Sequence, residues 1–234
     1  MQSRDLHRSL NDLPRYSKAE AARYLHVSPS TLRTWVVGRP YPVADGERYS
    51  QGLIQPSDPQ DGRLSFSNLI EAYVLLALRR QFRVKMREVR QALDYARDHL
   101  QIERVLLSPQ LRVMRGSMFW LHLDRLIDLG KGGQAALPEI LAAYLERIEW
   151  EPDGPPARIF PFTRPEVLSS PRLVKIDPLL AFGRPVLERK AVTTAVIAER
   201  FKVGESVGEI AWDYDLEASE IEEALRYEAL ALAA

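Results

Sequence analysis

Apolar residues recur at helical spacing in two short runs within residues 16–38, with a polar break between them. Ser17 is placed to cap a first helix whose inner side carries Ala19, Ala22 and Leu25. His26-Val27-Ser28 reads as a turn, with His26 on the surface. Ser28 caps a second helix, Pro29 takes its first position, and Leu32, Trp35 and Val36 supply its inner face. The spacing predicts a helix-turn-helix in which Trp35 belongs to the core.

The next stretch, residues 39–63, is punctuated by Pro40, Pro42, Gly46, Gly52, Pro56, Pro59 and Gly62, which suits a wing or hairpin and excludes a helix. Ser67 is read as the cap of a helix running to about Phe82, with Leu69, Ile70, Tyr73, Leu76 and Ala77 inside. Another helix is expected from about Met86 to His99. It buries Met86, Val89, Leu93 and Ala96 and turns Arg87, Arg90 and Arg97 outward. Three short apolar runs at residues 105–107, 111–114 and 118–123 predict a small antiparallel sheet. A glycine-rich break, residues 130–133, precedes a helix opened by Pro138, with Ile140, Leu141, Tyr144, Leu145 and Ile148 inside. Residues 159–162 then read as an edge strand, because Pro161 cannot donate to a ladder.

Residues 163–171 look like a linker, and residues 172–234 like a compact helical unit. Its helices are expected at residues 194–201, after a Ser206–Glu209 capping box, and from about Glu217. The fold class is therefore mainly α with a small antiparallel β component. A winged helix-turn-helix (residues 1–102) is followed by a mixed β/α middle (103–165) and a second helix-turn-helix-like helical unit (166–234).

Charge changes the picture only locally. Over 234 residues the formal net charge is zero, so no global field points to a nucleic acid or a membrane. Cysteine is absent, which fits a reducing compartment. The first 15 residues, expected to fray, lack an apolar leader segment, and no run approaches the roughly 18 apolar residues of a membrane span. A cytoplasmic protein is expected.

The first helix-turn-helix and the helices after it are rich in cations, whereas residues from 205 onward carry Glu209, Asp213, Asp215, Glu217, Glu220, Glu222, Glu223 and Glu228 with only Arg226 opposing them. Flexible cations contact phosphates, and short polar or arginine side chains at a recognition-helix N-terminus read base edges. The DNA-binding candidates are Lys18, Ser28, Ser30, Thr31, Arg33, Thr34, Arg39, Arg48 and Arg63. An acidic unit is repelled by phosphate, so its candidates, Asp213, Tyr214, Glu220, Glu223 and Tyr227, are assigned to a protein partner. The four histidines show no metal-ligand spacing, and residues 130–133 form no complete phosphate loop. No catalytic residue, metal or cofactor is expected, and the protein is read as non-enzymatic.

Two stretches carry family likenesses. Residues 65–72 (SFSNLIEA) and 89–93 (VRQAL), behind residues 16–38, resemble the MerR-like winged helix-turn-helix. Residues 175–178 (KIDP), 182–186 (FGRPV) and 204–206 (GES), with Ile210-Ala211 and Tyr214, are similar to a small domain of VapB-type antitoxins. Where many relatives carry Gly-Thr-Arg, this chain has Arg189-Lys190-Ala191. The likeness implies an antitoxin that neutralises a PIN-type ribonuclease toxin and represses its own operon by binding operator DNA; a homodimer is expected because operators are commonly two-fold. Two other readings stand beside it: a MerR-like regulator sensing a small molecule through the middle sheet, and an adaptor that binds only protein.

Overall fold

The first two helices start where their serines allow. In the computed structural model, which describes residues 10–43, 45–82, 86–101, 104–107, 143–152, 154–164 and 169–233, Ser17 Oγ accepts the Glu20 N–H at 3.1 Å. The Glu20 carboxylate accepts the Ser17 N–H at 2.8 Å, closing a capping box on α1, Lys18–Tyr24. Ser28 Oγ accepts the Thr31 N–H at 3.3 Å and opens α2, Pro29–Val36. Leu32, Trp35 and Val36 are buried as their spacing requires, but on α1 the buried residues are Ala21, Ala22 and Tyr24, while Ala19 is exposed. Residues six apart on a helix sit about 120° from each other, too far for Ala19 to share a face with Leu25.

After α2 the chain forms a two-stranded antiparallel wing, β1 (Gly38–Val43) and β2 (Gly46–Gln51), in register from Gly38↔Gln51 to Val43↔Gly46. Gly38 has φ of 99°, and a Cβ there would lie 2.0 Å from the Ser50 carbonyl oxygen, so only glycine fits this entry to the wing. The Leu53 and Ile54 N–H groups both donate to the Trp35 carbonyl, returning the chain to the base of α2.

Helix α3, Phe66–Phe82, is capped by Ser65 and not by the expected Ser67. Ser65 Oγ accepts the Asn68 N–H at 3.2 Å and the Ser65 N–H donates to Asn68 Oδ1 at 3.1 Å, which leaves Ser67 buried in the first turn. Residues 66–78 are buried all round, so α3 is the central rod of the core. Helix α4, Met86–Leu100, buries Val89 and Ala96 and exposes Arg87 and Arg97.

The middle of the chain departs from expectation. Residues 105–107 form a 3₁₀ turn, with the Leu107 N–H donating to the Arg104 carbonyl, instead of a strand. The expected strands at 111–114 and 118–123, the break at 130–133 and the start of the helix at Pro138 lie outside the described residues. Ile148, expected in that helix, instead opens β3 (Ile148–Trp150), because its β-branched side chain pairs with Ile159. A four-stranded antiparallel sheet runs in the order β3, β4 (Pro156–Ile159), β5 (Val174–Ile176), β6 (Pro185–Leu187). The strand expected at residues 159–162 therefore lies earlier and inside the sheet. Pro161, which has no N–H to give, falls beyond its end. Ile148, Ile159 and Ile176 stand in one register row and join the core around α3.

The C-terminal stretch is not purely helical, since β5 and β6 begin it. Helices α5 (Thr194–Lys202), α6 (Val207–Tyr214) and α7 (Ala218–Ala233) follow. Ser206 and Glu209 form the expected capping box on α6. Ile197, Ile210, Ile221, Ala224 and Tyr227 pack with Val174 and Leu187 into a second core cluster.

Helix α7 is laid against the first helix-turn-helix. Tyr227 is fully buried; its hydroxyl donates to the Tyr24 carbonyl at 2.8 Å and its ring lies 4.5 Å from that of His26. His26, expected at the surface, is covered as a result, and its φ of 50° is what the tight turn demands. Glu228 pairs with Arg23 at 3.3 Å. On the neighbouring side Tyr16 donates to the Gly183 carbonyl at 3.0 Å, and a Cβ on Gly183 would sit 2.2 Å from that hydroxyl. Residues 10–15, expected to fray, are held by Asn11 donating to the Pro156 carbonyl at 2.6 Å and Arg15 donating to the Pro178 carbonyl at 2.8 Å.

Truncating the buried ring in Tyr227→Ala removes a large side chain from between two units and is expected to cost about 3–5 kcal/mol. Tyr227→Phe leaves only the Tyr24 carbonyl unpaired and is expected to cost about 1–2 kcal/mol. Chemical denaturation of the three proteins checks both values and their order.

Candidate nucleic-acid interface and partner face

Helix α2 turns its apolar side inward, which leaves a short polar face outward. Arg33 and Ser30 are exposed, and Thr34 Oγ1 donates to the Ser30 carbonyl at 2.9 Å. Thr31 is partly engaged: its hydroxyl oxygen accepts from Ser28 Oγ at 2.9 Å and from Arg79 Nη1 at 3.2 Å. Ser28 is occupied as the cap. Arg33 is therefore the long cation that α2 offers to solvent, flanked by small hydroxyls.

The wing extends this surface. Pairing of Arg39 with Ser50 and of Tyr41 with Arg48 puts Arg39, Tyr41 and Arg48 on one face of the hairpin, all three exposed. The Arg90 guanidinium donates to the Gln51 carbonyl and so braces the wing against α4. Between wing, α2 and α4 opens a cavity of about 800 Å³ whose lining includes Thr34, Arg39, Tyr41, Arg87, Arg90 and Arg97.

Two candidates lie elsewhere. Arg63 is outside the hairpin, in the loop before α3, and donates to the Arg15 carbonyl at 3.2 Å. Lys18 donates to the Gly62 carbonyl at 3.1 Å. Both steady the entry to α1, whereas Arg33 on α2 and Arg39 and Arg48 on the wing are exposed.

The acidic candidates divide more sharply. Tyr227 is spent on α1. Glu223 is 1% exposed and accepts from Arg164 Nη2 at 2.8 Å and Nε at 3.1 Å, as well as from Thr163 and Arg226. Glu220, also buried, accepts from Arg189 Nη2 at 2.8 Å and from the Glu217 N–H. Burial alone would raise the Glu223 carboxyl, but hydrogen bonds from Arg164 and Thr163 and the nearby arginine charges hold it below the ordinary carboxylate range. Glu220 follows the same logic with Arg189 as its partner. These three side chains fasten α7 inside the chain. Asp213 remains at the surface on α6, bonded to Arg200, whose guanidinium also lies 5.2 Å from the centre of the half-buried Tyr214 ring.

Residues that the spacing did not single out also stand on this face. Trp212 is 86% exposed and Val203 79%. The signal was present in the sequence: with Ile210 and Ala211 turned inward, Trp212 falls on the polar side of α6 beside Gly208 and Glu209. The inward place of Tyr227 was likewise marked by its spacing of three from Ala224. In the wing, Tyr41 and Tyr49 were passed over; Tyr49 donates to the Val37 carbonyl at 2.9 Å.

Comparison with known proteins gives two family matches and two relatives. Residues 14–93 match a family described as "Putative DNA-binding HTH domain", and residues 174–227 one described as "Protein of unknown function (DUF433)". The chain is similar to "Putative antitoxin VapB45" of Mycobacterium tuberculosis (strain ATCC 25618 / H37Rv), 29% identical over 231 residues, with 92% of this chain and 93% of that protein covered. It is also similar to a solved structure, the X-ray crystal structure of Rv2018 from Mycobacterium tuberculosis, at 26% identity with a TM-score of 0.62, covering 92% of this chain and 98% of that one.

Because the Glu223 carboxyl is held below its ordinary value of about 4.5, its contribution to stability is complete above that pH and is lost as pH falls through the lowered value. Thermal melting from pH 7 to pH 3 is expected to show the midpoint falling in acid. Glu223→Gln is expected to melt lower at pH 7 and to show a flatter acid dependence.

Proposed function

We propose that this chain is the antitoxin of a type II toxin–antitoxin pair, which binds a PIN-type ribonuclease toxin directly and represses its own operon. The observation that carries the reading is the pairing of an exposed Arg33, Arg39 and Arg48 surface on α2 and the wing with an acidic helical unit that cannot share that task. The named relative, similar along nearly the whole chain, supports it. In this reading residues 1–102, a MerR-like winged helix-turn-helix, address operator DNA and residues 166–234 address the toxin, with residues 103–165 between them. The activity is regulatory, non-enzymatic and free of cofactors, and it is exerted in the cytoplasm. A two-fold operator would be met by a homodimer of the chain, each copy placing α2 in a major groove.

The division of labour follows from chemistry. Arg33, at the exposed side of α2, is long enough to reach a guanine edge, with Ser30 and Thr34 beside it. Arg39 and Arg48 on the wing face approach phosphates, as Lys18 and Arg63 would from the entry to α1. Ser28 and Thr31 shape the helix start. A ribonuclease binds an anionic substrate, so its groove is cationic and complementary to a carboxylate-rich unit.

Electrophoretic shifts on the DNA upstream of its own gene test this reading. Arg33→Ala is expected to weaken specific binding by about 1–3 kcal/mol. Replacing Arg39 and Arg48 with alanine is expected to weaken binding to all sequences and to lower the salt slope by about one per lost phosphate contact. Unchanged affinity and slope in the triple variant would remove this surface from DNA recognition.

A further inference from the structure

Most large apolar side chains of the C-terminal unit are inward, which makes the exceptions informative. Besides Leu179, Phe182 and Val196, which lie elsewhere along the unit, they are Phe201 and Val203, which close α5 and enter the turn after it with exposures of 48% and 79%, and Trp212 on α6, 86% exposed. The two segments are clamped together. Arg200, next to Phe201, bonds both Glu205 in the turn and Asp213 beside Trp212. The clamp also neutralises Arg200, so the surface keeps its acidic character. Within residues 199–217 the acids Glu199, Glu205, Glu209, Asp213, Asp215 and Glu217 outnumber Arg200 and Lys202, and among the described residues Asp215 alone of the six is paired with a cation from an earlier segment, Lys190.

An exposed tryptophan on the polar side of an amphipathic helix, with carboxylates around it, has the composition of an interface centre with a charged rim. A second copy of this chain is a poor occupant, because a two-fold contact would set these carboxylates against one another. We propose that Phe201, Val203 and Trp212 are the apolar anchors of a docking surface for a basic protein, with Glu209 and Asp213 as rim charges that meet its lysines or arginines. The inference rests on the toxin-binding reading and relocates its contact: α6 and the end of α5 carry the partner, while Glu220, Glu223 and Tyr227 hold α7 in place.

The test uses the full-length chain and the purified ribonuclease encoded by the adjacent reading frame, with binding measured by calorimetry. Trp212→Ala and Val203→Asp are expected to weaken the complex at least thirtyfold each. Both are expected to melt and to shift operator DNA as the parent protein does, since the side chains make little contact with the rest of the fold. Raising salt is expected to weaken the parent complex as the rim charges are screened. Parent binding with both variants at parental affinity would overturn the docking surface and leave the toxin-binding reading intact. Failure of the parent protein itself to bind the ribonuclease would overturn both. Loss of self-association in Trp212→Ala, with ribonuclease binding unchanged, would assign the surface to a second copy and overturn the proposal.

Discussion

A single buried tyrosine joins the two ends of this chain. Tyr227 places its ring against His26 and gives its hydroxyl proton to the Tyr24 carbonyl, 203 residues earlier in sequence. The last helix thereby covers the turn between α1 and α2, the element that sets the angle of the exposed α2 face. Burial pushes the phenol proton far above its ordinary pKa, so the hydroxyl stays a donor throughout the accessible pH range. Around it the Arg23–Glu228 pair, the Tyr16–Gly183 hydrogen bond and the Arg15–Pro178 hydrogen bond fix the same orientation from three further sides. The acidic unit is thus locked onto the basic one, not tethered beside it.

That constraint explains which acidic residues are committed and which are available. Helix α7 needs its inward carboxylates paired, because a buried charge without partners is costly. Arg164, Arg189 and Arg226 supply the pairing for Glu223 and Glu220. What remains at the surface is the short α6 with Asp213 and an uncovered Trp212. On the other unit, inward packing of Leu32, Trp35 and Val36 leaves Arg33 outward, and the wing register adds Arg39 and Arg48. Each unit therefore keeps one chemically distinct face.

Much of this was readable from local signals. The serine caps at Ser17, Ser28 and Ser206 and the spacing of Leu32, Trp35 and Val36 specify the helices directly, because capping and amphipathic burial are determined within a few residues. The wing followed from its prolines and glycines. What escaped depends on contacts distant in sequence. His26 is buried because α7 returns to cover it, and Ile148 leaves its helix because Ile159 pairs with it. Residues 10–15 are fixed by carbonyls of Pro156 and Pro178. Charge alone placed Glu220 and Glu223 on a surface, since their arginine partners lie 31 and 59 residues upstream. Trp212 carried a local signal, an aromatic on a polar helix face, that charge counting passed over.

In the proposed function, one chain reads DNA with its first unit and silences a ribonuclease with its last. The most direct measurement is a titration of the adjacent-gene ribonuclease with this protein, following cleavage of a labelled RNA. The expected result is loss of cleavage that is complete near stoichiometric addition and persists when operator DNA is present. Full cleavage in the presence of excess protein would contradict the claim.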